Sequence, residues 1–322
     1  MNFEYIKLHL LKLKPIVLIV LMGSFLRFLA FLSLKPWDPA VVAQHLLVSD
    51  QWSYNNIAVS ILNLSYGVES FWMPGWPAFI ALVYAIFGEV PWVVLIFNIG
   101  LSAVGIIFFY RAIRILLSEK TALVASVLLA CDPHQIIYSQ TLLSENLFLP
   151  VLMIFFYLFV KYLQERNQGQ LILSSIVAGI LVYIKSIALY FSLVPLAIIL
   201  FLDSGRTPGR LKKGTMIILV VMAVHIPMSL KNYINDGYWA VTSNGGFNAL
   251  FIYAGSVYTN QLGYSSVEKD QILQQKLDSL IGKGNTNQFD YDSAAKRLAG
   301  EIVLEYPMEF LSNHLTGCIN IF

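Results

Sequence analysis

Seven runs of apolar residues decide what this chain can fold into. The first, residues 15–34, holds one charged side chain, Arg27. A helix rises 1.5 Å per residue, so about 20 residues cross a hydrocarbon core roughly 30 Å thick. Six more runs follow, at 91–110, 121–138, 147–163, 171–184, 188–202 and 215–230. The runs at 171–184 and 188–202 are short and separated only by Lys185-Ser186-Ile187, which reads as two helices meeting at a turn. Charged residues make up 12% of the 322, against roughly 25% in soluble domains. The bilayer is therefore the main solvent, and a chain in lipid must bond its own backbone. The expected fold is all-α, a polytopic transmembrane helical bundle.

Lys7, Lys12 and Lys14 precede the first run, as in a signal peptide. That run is longer than the roughly 7–15 apolar residues of a signal core, and no small-residue cleavage site follows it, so it reads as an uncleaved helix. With the N-terminus in the cytoplasm, the cytoplasmic segments hold Lys7, Lys12, Lys14, Arg111, Arg114, Lys120, Lys161, Arg166, Arg206, Arg210, Lys212 and Lys213. The short segments on the other side hold only Lys35, Lys185 and Lys231, and collect Asp38, Asp50, Glu69, Glu89, Asp132 and Glu145. This Lys/Arg bias is the usual orientation signal.

The resulting organisation has three parts. Residues 1–231 form a transmembrane module with a first outer loop at 35–90. Within that loop an amphipathic stretch (Tyr54, Ile57, Ala58, Ile61, Leu62) and an apolar one (Phe79 to Phe87) read as interfacial helices. Between them Met73-Pro74-Gly75-Trp76-Pro77 reads as a turn, with Trp72 and Trp76 as interface anchors. Residues 232–312 form an extracytoplasmic helical segment, with a turn at Ser243-Asn244-Gly245-Gly246 and helix-period runs at Ile272–Leu280 and Ala294–Ile302. Residues 313–322 start a further membrane helix, and the expectation is a truncated C-terminus.

Several functions find no support. A net charge of +2 is too small to point to nucleic acid. Cys131 and Cys318 make no spacing pattern, the five histidines form no ligand pair, and no phosphate-binding Gly-x-x-x-x-Gly-Lys loop occurs.

What remains is a set of ions near one side. Asp50, Tyr54 and Ala58 are spaced i, i+4, i+8 and share a helix face. Asp50 there is a general base or a metal ligand, although Ser49 or Asp50 equally suits a helix N-cap. Glu145 opens the fourth run, where an acid is costly unless it is paired or faces a cavity; with Ser144 it also suits a cap. Lys185 and Lys231 lie near the outer ends of later runs, with Arg27 inside the first. They fit an anionic ligand such as a lipid phosphate, snorkelling, or pairing with Asp50 or Glu145.

These pieces occur in a recognisable order. Asp50-x-x-x-Tyr54-x-x-x-Ala58 then Gly67, Met73-Pro74-Gly75-Trp76-Pro77 then Phe87-Gly88, and Pro133 through Ser144-Glu145-Asn146-Leu147-Phe148 come first. Ala178-Gly179-Ile180-Leu181 to Lys185 follows, then Pro227 to Tyr233 with Gly237 and Ser243-Asn244-Gly245-Gly246. The set resembles the GT-C superfamily of polytopic glycosyltransferases. It is most similar to the bacterial branch of glycosyltransferase family 39, with its protein mannosyltransferases and lipid A aminoarabinose transferases. Lys185 and Lys231 stand where that family usually has Arg, and Met73 where a basic residue is common. A lysine lacks the bidentate phosphate fork of an arginine.

The resemblance implies a membrane transferase that moves a sugar from a polyprenyl-phosphate or diphosphate donor to a protein, lipid or glycan acceptor. It places the chain in a bacterial cytoplasmic membrane with the site outside the cytoplasm. It makes Asp50 the general base, Tyr54 and Glu145 positioning groups, and Lys185, Lys231 and Arg27 the phosphate-binding cations. The residues identify no definite cofactor; a divalent metal, Mg or Mn, held by Asp50 and a second acid is compatible with them. The alternative is a transporter or flippase of lipid-linked saccharides. That function calls for broken helices and mid-membrane charges in repeated halves, and no clear internal repeat occurs.

Overall fold

The computed structural model describes residues 14–65, 70–191, 193–202, 207–281 and 287–320. Among these no strand occurs. The principal helices are α1 (Pro15–Leu34), α2 (Ser49–Leu62), α3 (Gly75–Phe87), α4 (Pro91–Leu116), α5 (Glu119–Cys131), α6 (Pro133–Tyr138), α7 (Glu145–Glu165), α8 (Gln168–Ile184), α9 (Thr207–Asp236), α10 (Ser266–Ile281), α11 (Gln288–Glu305) and α12 (Pro307–Asn320). Among the described residues four helices are long and apolar enough to cross a membrane: α1, α4, α7 and, within α9, Pro208–Asp236. Helices α3 and α8 are shorter and equally apolar. The chain is an all-α polytopic bundle.

Local chemistry sets the helix ends. Pro15 and Pro91 sit in the first turns of α1 and α4, where the missing N–H has no intrahelical role. The expected run 121–138 is two helices instead of one. Asp132 ends α5, and its carboxylate accepts from the His134 N–H at 2.9 Å to start α6, with Pro133 in the first turn. The break between 171–184 and 188–202 falls where Lys185 ends α8 in an extended conformation.

The chain divides into two compact units, Met1–Gly67 with Met73–Ile226, and Val68–Trp72 with Pro227–Phe322. In the first unit α1 packs on α4 and α5 through Ile19, Ile106 and Ala130. Helix α4 lies along α7, and α7 along α8. Helix α2 packs on α3, whose first residue approaches α8: a Cβ at Gly75 would stand 2.6 Å from the Tyr183 carbonyl oxygen.

The second unit has its own core, in which Leu250, Phe251, Leu273, Leu277, Leu298 and Ile302 are buried together. These include the helix-period positions expected at 272–280 and 294–302. The Gly245-Gly246 turn is pinned by Asp292, 3% exposed, whose carboxylate accepts from the Gly246 N–H and pairs with Lys296. Residues 70–72 join this unit, and the Ser70 carbonyl accepts from the Ser243 N–H at 3.0 Å.

Gly75→Ala tests the α3–α8 approach. Overpacking of this kind costs about 1–3 kcal/mol. The variant's melting temperature in detergent should fall clearly below that of the wild type. An unchanged value would show that the approach does not constrain the bundle.

Candidate active site

The site is built on a stretch without regular structure. Between α6 and α7, residues Ser139, Gln140, Thr141, Leu142 and Ser144 are buried. Peptide groups buried in this way need partners; the N–H groups of Ser139, Gln140 and Thr141 donate to carbonyls of α6, and four side chains supply partners for others. Gln51 of α2 accepts from the Leu142 N–H at 2.7 Å and donates to the His45 carbonyl at 3.0 Å. Trp76 of α3 donates to the Leu142 carbonyl at 2.7 Å. Asn98 of α4 donates to the Ser139 and Thr141 carbonyls at 3.2 and 3.0 Å. Asn146, in the first turn of α7, donates to the Tyr138, Thr141 and Leu143 carbonyls. Trp76 is 0% exposed, so it is a buried clamp rather than the interface anchor expected from its position.

This clamp brings Ser144 and Glu145 to the α2 face that carries Tyr54. The buried residues of α2 are Gln51, Tyr54, Ile57 and Ala58. The Tyr54 hydroxyl donates to Ser144 Oγ at 3.4 Å, and Ser144 Oγ lies 3.5 Å from Glu145 Oε2. Lys185 Nζ donates to Glu145 Oε1 at 2.7 Å, closing an ion pair between side chains 31% and 30% exposed. Burial raises the Tyr54 phenol from 10.0 to about 12; the Ser144 bond opposes this, while the charges of Asp50 and Glu145 add to it. The phenol is therefore neutral throughout the physiological range. Because folding raises its value, its contribution to stability is full below pH 10 and is lost as pH climbs toward about 12.

Asp50 lies in the first turn of α2 and is exposed. Val48, not Ser49 or Asp50, is the N-cap, and no side chain caps the helix. The capping explanation for Asp50 therefore does not hold. Its neighbour Ser49 has a left-handed φ of 50°, a strained conformation for a residue with a side chain.

Arg27 is 1% exposed and donates to the Gly23 and Ala130 carbonyls at 3.0 and 2.8 Å, tying α1 to α5. Its own carbonyl accepts from Gln140 at 3.1 Å. Arg27 and Glu145 line one cavity of about 70 Å³, together with Asn98 and Asn146. Five of the six residues expected to carry the site thus gather in the first unit. The sixth, Lys231, lies in the second unit on α9 and is half-buried.

The residues that hold this geometry were not foreseen. Asn98 is a lone amide in a long apolar run, and a polar side chain there is costly unless it has a task. That cost was the available signal. Gln51 carried none, because glutamine is ordinary beside an amphipathic stretch.

Among the described residues no group of three or more His, Cys, Asp or Glu is arranged to hold a metal ion. A hard cation takes about six oxygen ligands, and of the two acids acting on Tyr54, Glu145 is already paired with Lys185.

Residues 73–230 match the family model described as dolichyl-phosphate-mannose-protein mannosyltransferase. The match supports a membrane glycosyltransferase of the GT-C type, and the four long apolar helices indicate a multi-pass membrane protein. The matched segment contains Glu145 and Lys185, while Arg27, Asp50 and Tyr54 precede it and Lys231 follows its last residue. No curated protein and no solved structure matches the chain.

The ion pair invites a double-mutant cycle with Glu145→Gln and Lys185→Met. Half-exposed pairs in contact couple by on the order of 1 kcal/mol. Thermal unfolding of the two single variants and the double variant should show that coupling. Strict additivity would mean that the two side chains do not support each other.

Proposed function

We propose that the chain transfers a sugar from a polyprenyl-phosphate or polyprenyl-diphosphate carrier to a hydroxyl acceptor on the extracytoplasmic side, with inversion at the anomeric carbon. One observation carries this reading: Asp50, Tyr54, Ser144, Glu145 and Lys185 lie along one electrostatically linked string. Asp50 is its exposed acid, able to meet an acceptor arriving from water.

In the proposed reaction Asp50 takes the proton of the acceptor hydroxyl. The acceptor oxygen forms a bond to the anomeric carbon as the bond to the carrier's phosphate oxygen breaks. The electron pair leaves with the lipid phosphate. An ammonium has three donors; Glu145 occupies one on Lys185, and the others serve the charge growing on the departing phosphate. Tyr54, held neutral, orients by hydrogen bonding and takes no proton. A double displacement would need a second carboxylate as nucleophile, and Glu145 is engaged with Lys185. A single inverting displacement asks only for Asp50.

The preference for a lipid donor rests on the family and on the membrane setting. The acceptor class, whether protein, lipid or glycan, is open to any hydroxyl that reaches Asp50.

Asp50→Asn keeps the shape and removes the base. Transfer from a lipid-linked sugar should fall by about 10²–10⁴-fold, with expression and membrane insertion unchanged. A variant that keeps wild-type turnover would refute the assignment of the base.

A further inference from the structure

The two long helices α1 and α4 and the start of α5 enclose a second cavity, of about 610 Å³. Its walls are apolar side chains of the two membrane-crossing helices, among them Val17, Leu21 and Ile107. Its mouth carries Lys14, Arg111 and Arg114 against one carboxylate, Glu119. That carboxylate already accepts from the buried Tyr110 hydroxyl at 3.2 Å. The Arg111 guanidinium lies over the Phe108 ring at 5.6 Å, which holds its stem along the helix.

An apolar slot opening at a cationic mouth is complementary to an amphiphile with a negative head. A soluble anion would use the mouth and leave the slot empty. A zwitterionic head would set its own cation against three others. We infer that this cavity is a binding site for an anionic phospholipid of the bilayer, its headgroup phosphate between Arg111, Arg114 and Lys14 and an acyl chain along α1 and α4. Basic pockets between membrane helices take anionic headgroups on the same grounds. The site is separate from the transfer chemistry: Arg111 lies about 20 Å along α4 from Asn98 at 1.5 Å per residue. A lipid seated there fastens α1 to α4 at the end remote from Glu145.

The test uses the full chain in zwitterionic detergent micelles. Native mass spectrometry follows retained phosphatidylglycerol and phosphatidylcholine at equal concentrations. Phosphatidylglycerol should be retained roughly tenfold more strongly, and Arg111→Gln with Arg114→Gln together should remove that preference. Glu119→Gln should increase it, a gain that a poorly folded variant cannot mimic. Equal retention of the two lipids, or a preference that survives the double variant, would overturn the inference. Displacement by inorganic phosphate at matched concentration would mark a site for free anions, and selective displacement by polyprenyl phosphate would mark a donor site. Either result would also overturn it.

Discussion

Everything around the candidate site hangs on one problem: the six-residue turn between α6 and α7, five of its residues buried, leaves peptide groups that neither flanking helix bonds. In an apolar bundle each unpartnered peptide group costs about 1–3 kcal/mol. Gln51, Trp76, Asn98 and Asn146 remove that cost from four different helices. The same bonds fix where α2, α3, α4 and α7 meet. The clamp is therefore both the structural centre of the first unit and the reason Ser144 and Glu145 stand where they do.

From that centre the electrostatics follow. Glu145 emerges at the first turn of α7 and meets Lys185 at the end of α8. Tyr54 is buried against Ser144, which keeps its phenol neutral and makes it an orienting group. Asp50, one turn earlier on the same helix, stays in solvent. One acid is thus bound to a lysine and one is exposed. That arrangement leaves Asp50 for the proposed single displacement.

The sequence was most legible where physics is most repetitive. Long apolar runs can only be helices in lipid, and α1, α4, α7 and α9 follow. The periodic positions Leu273, Leu277, Leu298 and Ile302 are buried for the same reason. It was less legible at interruptions. Asp132 with Pro133 divides one expected run in two, because a carboxylate that caps a new helix cannot lie within an old one. The roles of Gln51 and Trp76 were invisible, since each depends on a peptide group distant in the chain. Asp50 was ambiguous between a chemical role and a cap, and the placement of Val48 at the cap position removes the cap. Arg27 read as a cation for a lipid phosphate, for snorkelling or for pairing with an acid, and its Nη1 meets backbone carbonyls of α1 and α5.

The most direct test of the clamp is amide hydrogen exchange at Leu142, whose N–H is held by Gln51 alone among the described bonds. In Gln51→Leu that amide should exchange faster, and sugar transfer should fall even though Asp50 is untouched. If Leu142 stays protected and transfer continues at the wild-type rate, the clamp does not organise the site.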